Sequence, residues 1–263
     1  MTNSVDTAGF PHEAAAPVRS ELEQARAETL NLAQWPARIA NSYVKEGAPG
    51  SRTELEFRPA ETAFVTKPFA ERIALELRLP KLELQFLEDG KPVPHILDPE
   101  EHSPAEVEAW ILVELLHRGL DRDKFSKKLP YAVTGLMTGD ADDHAPSACQ
   151  NGLRQLTALL KDAATVLQAV GHTMGDATAR IICLPQTLDL VYRPQAGSQP
   201  GEYGFCLGES LGEGRSPQAS FYGVTANGAG GGKRRSTVEA SDILSIADPT
   251  TAARALVTKL TSR

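Results

Sequence analysis

The stretch Ser103 to Leu120, SPAEVEAWILVELLHRGL, constrains the fold most, because the start, body and stop of one helix can all be read from it. Ser103 and Glu106 fit a capping box, in which the serine hydroxyl accepts a first-turn N–H and the glutamate reaches back to the serine N–H. Pro104 stands at the first helical position, where its missing donor costs nothing. At the helical period, Ile111, Leu112, Val113, Leu115 and Leu116 share one broad sector. Glu106, Glu114, His117 and Arg118 gather in another, with Val107 and Trp110 intruding. So wide an apolar sector predicts a helix sandwiched between two partners, and hence one core. Gly119 predicts a left-handed cap, with Leu120 folding back onto Leu115.

Before this helix, residues 1–19 are rich in Ala, Pro and small polar residues and read as a flexible tail. Ser20 and Glu23 repeat the capping-box pattern and open an N-terminal helical arm, which Trp35 and Pro36 are expected to kink or break. Gly47, Pro49 and Gly50 end it. From Thr53 the period becomes alternating: Leu55 and Phe57, Phe64, then Ile73 to Leu79 at odd positions. Leu82, Leu84 and Phe86 continue at even positions, and this flip of parity across Pro80 predicts a bulge or sheet corner. Asp89-Gly90 predicts a hairpin turn, and Pro92 and Pro94 confine the returning strand to an edge.

After the helix comes a long polar connection, Leu129 to Pro146, expected to cross the core surface as a lid or contact loop. A second long helix carries Leu153, Leu156, Leu160, Ala163, Leu167 and Val170 at heptad spacing, with its stop at Gly171. It is expected to pair with the Ser103–Leu120 helix. The last third reads as an antiparallel meander: Ile181–Leu184, Leu188–Tyr192, Tyr203–Leu207, Phe221–Val224 and Val238–Ile246. Asp248 and Pro249 then open a closing helix. No internal repeat is visible. The expected fold is α+β: antiparallel sheet or sheets on a central pair of long helices, with an N-terminal helical arm and a C-terminal helix. Residues 20–263 are expected to form one domain, with a possible subdivision near 129–146.

With 263 residues and 41% hydrophobic content, the chain can bury a substantial core. A net charge of −7 argues against a general nucleic-acid or acidic-membrane binder. The three cysteines, Cys149, Cys183 and Cys206, lie far apart, which indicates neither a disulfide framework nor a thiolate metal site. The N-terminus has no secretory pattern, and no apolar run is long enough to span a membrane. The expectation is a soluble cytoplasmic protein of bacterial type, without cofactor, metal or membrane partner.

Asn227 to Arg235, NGAGGGKRR, fails the P-loop pattern, since Asn227 and Arg234 stand where Gly and Ser or Thr are needed. It reads as a hairpin tip at which Lys233, Arg234 and Arg235 could bind an anion or a partner. Asp140, Asp142, Asp143 and His144 lack the Gly and closing Glu of a calcium loop and read as a solvated acidic loop. Glu114 and His117 have Glu-x-x-His spacing, but the motif occurs once, and pairing of Glu114 with Arg118 on the exposed helix face explains it. His95, Asp98 and His102 share a proline-bounded turn. Gly204, Cys206 and Gly208 leave one face of a strand bare apart from a thiol, so a neighbour or ligand can approach closely. The expected function is a non-catalytic module binding a small molecule or a protein, through the Gly204–Cys206–Gly208 face or the loop tips. The alternative is an enzyme with a site assembled around His95, Asp98 and Cys206. A nucleic-acid contact through Lys233 to Arg235 ranks last.

Overall fold

Alternating apolar residues build two five-stranded meanders, each preceded by a long helix. The computed structural model describes residues 20–262 except 46, 48, 71, 195–200, 209–218 and 227–232; the expected tail, 1–19, lies outside them. The first half comprises α1 (Glu21–Tyr43), α2 (Pro49–Arg52), β1 (Leu55–Arg58), β2 (Ala63–Val65), β3 (Ile73–Arg78), β4 (Glu83–Glu88), β5 (Lys91–Leu97) and α3 (Pro104–His117). The second comprises α4 (Gln150–Thr173), β6 (Ile181–Leu184), β7 (Asp189–Tyr192), β8 (Glu202–Cys206), β9 (Ser220–Ala226), β10 (Lys233–Glu239), α5 (Ala240–Leu244) and α6 (Pro249–Thr261).

The fold is α+β, and all ten strands form one antiparallel sheet in the order β10-β9-β8-β7-β6-β1-β2-β3-β4-β5. The two meanders meet where β1 pairs with β6, with Glu56 opposite Ile182. Helix, five strands and helix therefore occur twice about a central antiparallel pair. This topological repeat escapes the sequence because the halves share a hydrophobic period and not residue identities.

The parity flip at Pro80 marks a hairpin, not a corner. Leu77 pairs with Leu84 and Leu75 with Phe86, so odd positions of β3 lie opposite even positions of β4. Both sets face the same core. That core runs from Phe86 and Leu75 through Phe57 and Cys183 to Tyr203, Phe205 and Phe221. A smaller cluster of Ala63, Val65, Ala74 and Leu87 belongs to the opposite sheet face.

The sandwiched helix is α1, not α3. Six consecutive α1 residues, Leu32 to Ala37, are buried, which takes in every side of the helix. One side packs toward the sheet, and the 121–145 connection is strapped along another. Tyr43 Oη donates to the Asp121 carbonyl, Asn41 Nδ2 to that of Lys128, and Tyr131 Oη to Gln34 Oε1. Nearer the N-terminus the Met137 N–H donates to Asn31 Oδ1, and His144 Nδ1 lies 2.9 Å from Glu28 Oε2. Packed on both sides, α1 continues unbroken through Pro36, where a kink or break is expected.

Helix α3 has both expected caps: the Ser103–Glu106 capping box and the Leu120 N–H on the Leu115 carbonyl, with Gly119 at φ 66°. It buries Val107, Ile111 and Leu115 on one side only, while Val113 and Leu116 are 47% and 55% exposed. The expectation of a sandwich fails because α3 covers one end of the sheet near Phe86 and nothing described covers its outer side.

The helical contacts of α4 are chiefly with α1 and α6. At its start, a Cβ on Gly152 would fall 2.1 Å from the Glu21 carbonyl oxygen, so the α1 and α4 backbones touch there. Gly171 lies inside α4 against the Tyr192 ring, and the stop follows at Gly175, φ 84°. The expected strand Val238–Ile246 divides into the end of β10 and α5. No described helix is long and apolar enough to cross a membrane.

Candidate functional site

Alternation along β8 turns Tyr203 and Phe205 into the core and Gly204 and Cys206 to the outer face. On the neighbouring strand Tyr222 lies directly opposite Gly204. Its ring occupies the space a side chain would fill: a Cβ on Gly204 would sit 2.1 Å from it. The bare face expected there is thus covered from within the sheet.

Tyr222 in turn supports a polar stack. The Arg235 guanidinium lies 3.7 Å from the centre of the tyrosine ring, a cation–π contact. The Tyr222 hydroxyl donates to Asp189 Oδ2 at 3.3 Å, and Arg235 Nη2 is 4.0 Å from the same oxygen. Burial pushes the Asp189 carboxyl above its ordinary value against the pull of these partners, and burial beside Asp189 pushes the Tyr222 phenol up.

These residues line a cavity of about 1110 Å³, which runs round the strand ends past Cys206 and Gly208 to Arg26 on α1 and Lys259 on α6. A second cavity of about 590 Å³ opens from the same place and is lined by Leu22, Leu156, Leu159, Ala219 and Leu244. Arg26, Leu207 and Gly208 line both. Arg26 Nη1 donates to the Gly208 carbonyl at 2.7 Å, while its buried Nε has no partner among the described residues.

The candidate residues therefore separate. Gly204 is packing; Cys206, Gly208 and Arg235 reach the large cavity. Lys233 and Arg234 start strand β10, not a hairpin tip, because the ladder to β9 extends to Lys233. The hairpin residues 227–232 lie outside the described ones.

His95, Asp98 and Cys206 do not converge. Asp98 Oδ1 accepts the Glu100 N–H, His102 turns its ring to the Glu100 carbonyl, and neither Asp98 nor His95 lines the cavity that holds Cys206. His144 does not belong to a solvated loop: it is 1% exposed and fastened to Glu28.

His95 instead meets the α3 pair. Glu114 Oε1 is 3.2 Å from His95 Nδ1 and 3.5 Å from His117 Nδ1. The expected Glu114–Arg118 pair is present at 2.6 Å, but it is buried, with both side chains under a tenth exposed. Arg118 is held there by packing 4.3 Å over the Phe86 ring and by Glu88 at 3.2 Å from its Nε. Burial opposes ionisation of Glu114, yet Arg118 and His95 outweigh it and hold the carboxyl below its ordinary value.

Sequence reasoning missed Arg26, Asp189 and Tyr222. Arg26 reads as the polar side of an amphipathic helix and Asp189 as the polar position between Leu188 and Leu190. Only Tyr222 carries a signal, since a glycine in one strand invites a large residue opposite it once the register is known.

Comparison of this chain with protein-family models, with curated proteins and with solved structures finds no match.

Proposed function

We propose that this chain is a non-catalytic binding protein, acting as one domain in the cytoplasm, whose ligand occupies the joined cavities at the β7–β10 end of the sheet. The observation that carries this reading is the meeting at Arg26 of two cavities, a larger one of mixed lining and a smaller one lined mainly by apolar side chains. A ligand fitted to both has an apolar body, seated against Leu156, Leu159 and Leu244, and an anionic group near Arg26. The smaller cavity, of about 590 Å³, has the size of a small-molecule site, and the larger, of about 1110 Å³, leaves room for solvent around a bound polar group. The two other cations that line the larger cavity already have internal partners. Lys259 pairs with Asp242 at 2.8 Å and Arg235 sits on Tyr222, which favours one compact anionic group over a polyanion such as nucleic acid.

The test is a thermal-shift screen of amphipathic carboxylates and phosphates against the full chain and Arg26→Ala, because a ligand that binds only the folded state raises its stability. At a hundredfold excess over its dissociation constant a ligand adds about 2.7 kcal/mol. The expected hits stabilise the parent protein and lose most of that shift in Arg26→Ala. Hits that stabilise both proteins equally would remove the ligand from this site.

A further inference from the structure

We infer that His95, Glu114 and His117 form a binding site for a transition-metal dication of the zinc type, clipping edge strand β5 to helix α3. The site is independent of the cavities at the other end of the sheet. Among the described residues this is the one group of three whose potential ligand atoms all lie close enough to share an ion, within 4.8 Å of one another. Glu114 and His117 are brought together by helical spacing, and His95 comes from the strand that α3 flanks.

Two of the three ligand separations match small-ion coordination, and the third lies within 4.8 Å. Tetrahedral zinc holds its ligands at about 2.0–2.1 Å, which places neighbouring ligand atoms about 3.3–3.4 Å apart. The observed separations from Glu114 Oε1 to the two imidazole Nδ1 atoms are 3.2 and 3.5 Å. Two imidazoles and one carboxylate suit zinc and its neighbours; calcium and magnesium prefer oxygen alone. Three protein ligands leave a fourth position for solvent or an exogenous group.

The ligating carboxylate is also held from behind, as metal ligands commonly are. Glu114 is buried, and its second oxygen accepts from Arg118 Nη1 at 2.6 Å, leaving Oε1 for the histidines. Arg118 is itself fixed by Glu88 and Phe86. Two carboxylates and one guanidinium leave this network with one net negative charge, so an arriving dication meets an attractive field. The two histidine side chains are 66% and 55% exposed, so the ion reaches them from solvent without opening the core.

The test is zinc titration of the full chain without an affinity tag, by calorimetry, on the parent protein and on His95→Ala and His117→Ala. The exposed histidines can be replaced without disturbing the buried Glu114–Arg118 pair, and circular dichroism checks that each variant folds. The expected result is one equivalent of zinc per chain, with affinity falling about tenfold or more in each variant. Cobalt added to the parent protein should develop the visible absorption of tetrahedral coordination, and the double variant should lack it. Absence of zinc binding by the parent protein would overturn the site, as would equal affinity in the double variant or a cobalt spectrum unchanged from that of the aquo ion.

Discussion

Gly204 lies directly across the β8–β9 ladder from Tyr222, and the tyrosine ring rests where a Cβ on Gly204 would be. The floor of the larger cavity depends on this pairing, since the same ring carries Arg235 on its face and Asp189 at its hydroxyl. Gly204→Ala should push Tyr222 off that position and destabilise the fold by about 1–3 kcal/mol, the usual cost of overpacking. Urea unfolding measures it, and a variant as stable as the parent would show that the ring has room to move.

The cysteines should differ in reactivity. Burial, with Glu28, Glu21 and Glu100 nearby, pushes the Cys149 thiol up to about 11. Burial first, then Asp189, pushes Cys183 well above its ordinary value. Thiolate is the reactive form, so neither should react in the folded protein. Cys206 is half-buried and borders the larger cavity. A chromogenic disulfide reagent at pH 7.5 should therefore label one thiol in the native protein and three, the full number, after denaturation. Rapid native labelling of more than one thiol would contradict the burial described.

Asp189 should leave a mark on the pH dependence of stability. Its carboxyl is held above the ordinary value of 3.8, chiefly by burial. The native state therefore binds this proton more tightly than the unfolded state does. The associated stability is fully present below the ordinary carboxylate range and is lost as pH rises through the raised value. Asp189→Asn, which still accepts from Tyr222, should be more stable than the parent at neutral pH. That advantage should vanish below about pH 4, where the parent carboxyl is protonated too. Chemical unfolding across pH 3–7 gives the comparison, and a constant difference over that range would exclude the mechanism.

Gln34 fastens the strap to the sheet through α1. Its Nε2 donates to the carbonyls of Leu30 and Pro185 at 2.7 Å each, and its Oε1 accepts from Tyr131 at 3.1 Å. Gln34→Leu leaves the Pro185 carbonyl and the Tyr131 hydroxyl without these partners and should cost about 1–3 kcal/mol for each polar group that stays buried. Limited trypsinolysis should then cut at Arg122, Lys124, Lys127 or Lys128 faster than in the parent protein. Equal cutting rates would mean that the other strap bonds, at Glu28, Asn31, Asn41 and Tyr43, suffice alone.

What could be read from the sequence is what local chemistry decides. Both capping boxes, the Gly119 cap, the Asp89-Gly90 hairpin and the edge position of β5 follow from residues within a few places of each other, and the structure has all of them. The meander after Ile181 follows likewise from a period of two. Tertiary structure decided which helix is enclosed, because burial of α1 depends on a strap that reaches it from about 80 to 120 residues away in sequence. It also decided the sites. Cys206 and Arg235 come to line one cavity only through the register of β8, β9 and β10, and Arg26 arrives from α1. His95 joins Glu114 and His117 only because α3 lies beside β5. Spacing along the chain carries no information about such meetings, whose geometry is set by how the strands pair and where the helices come to rest.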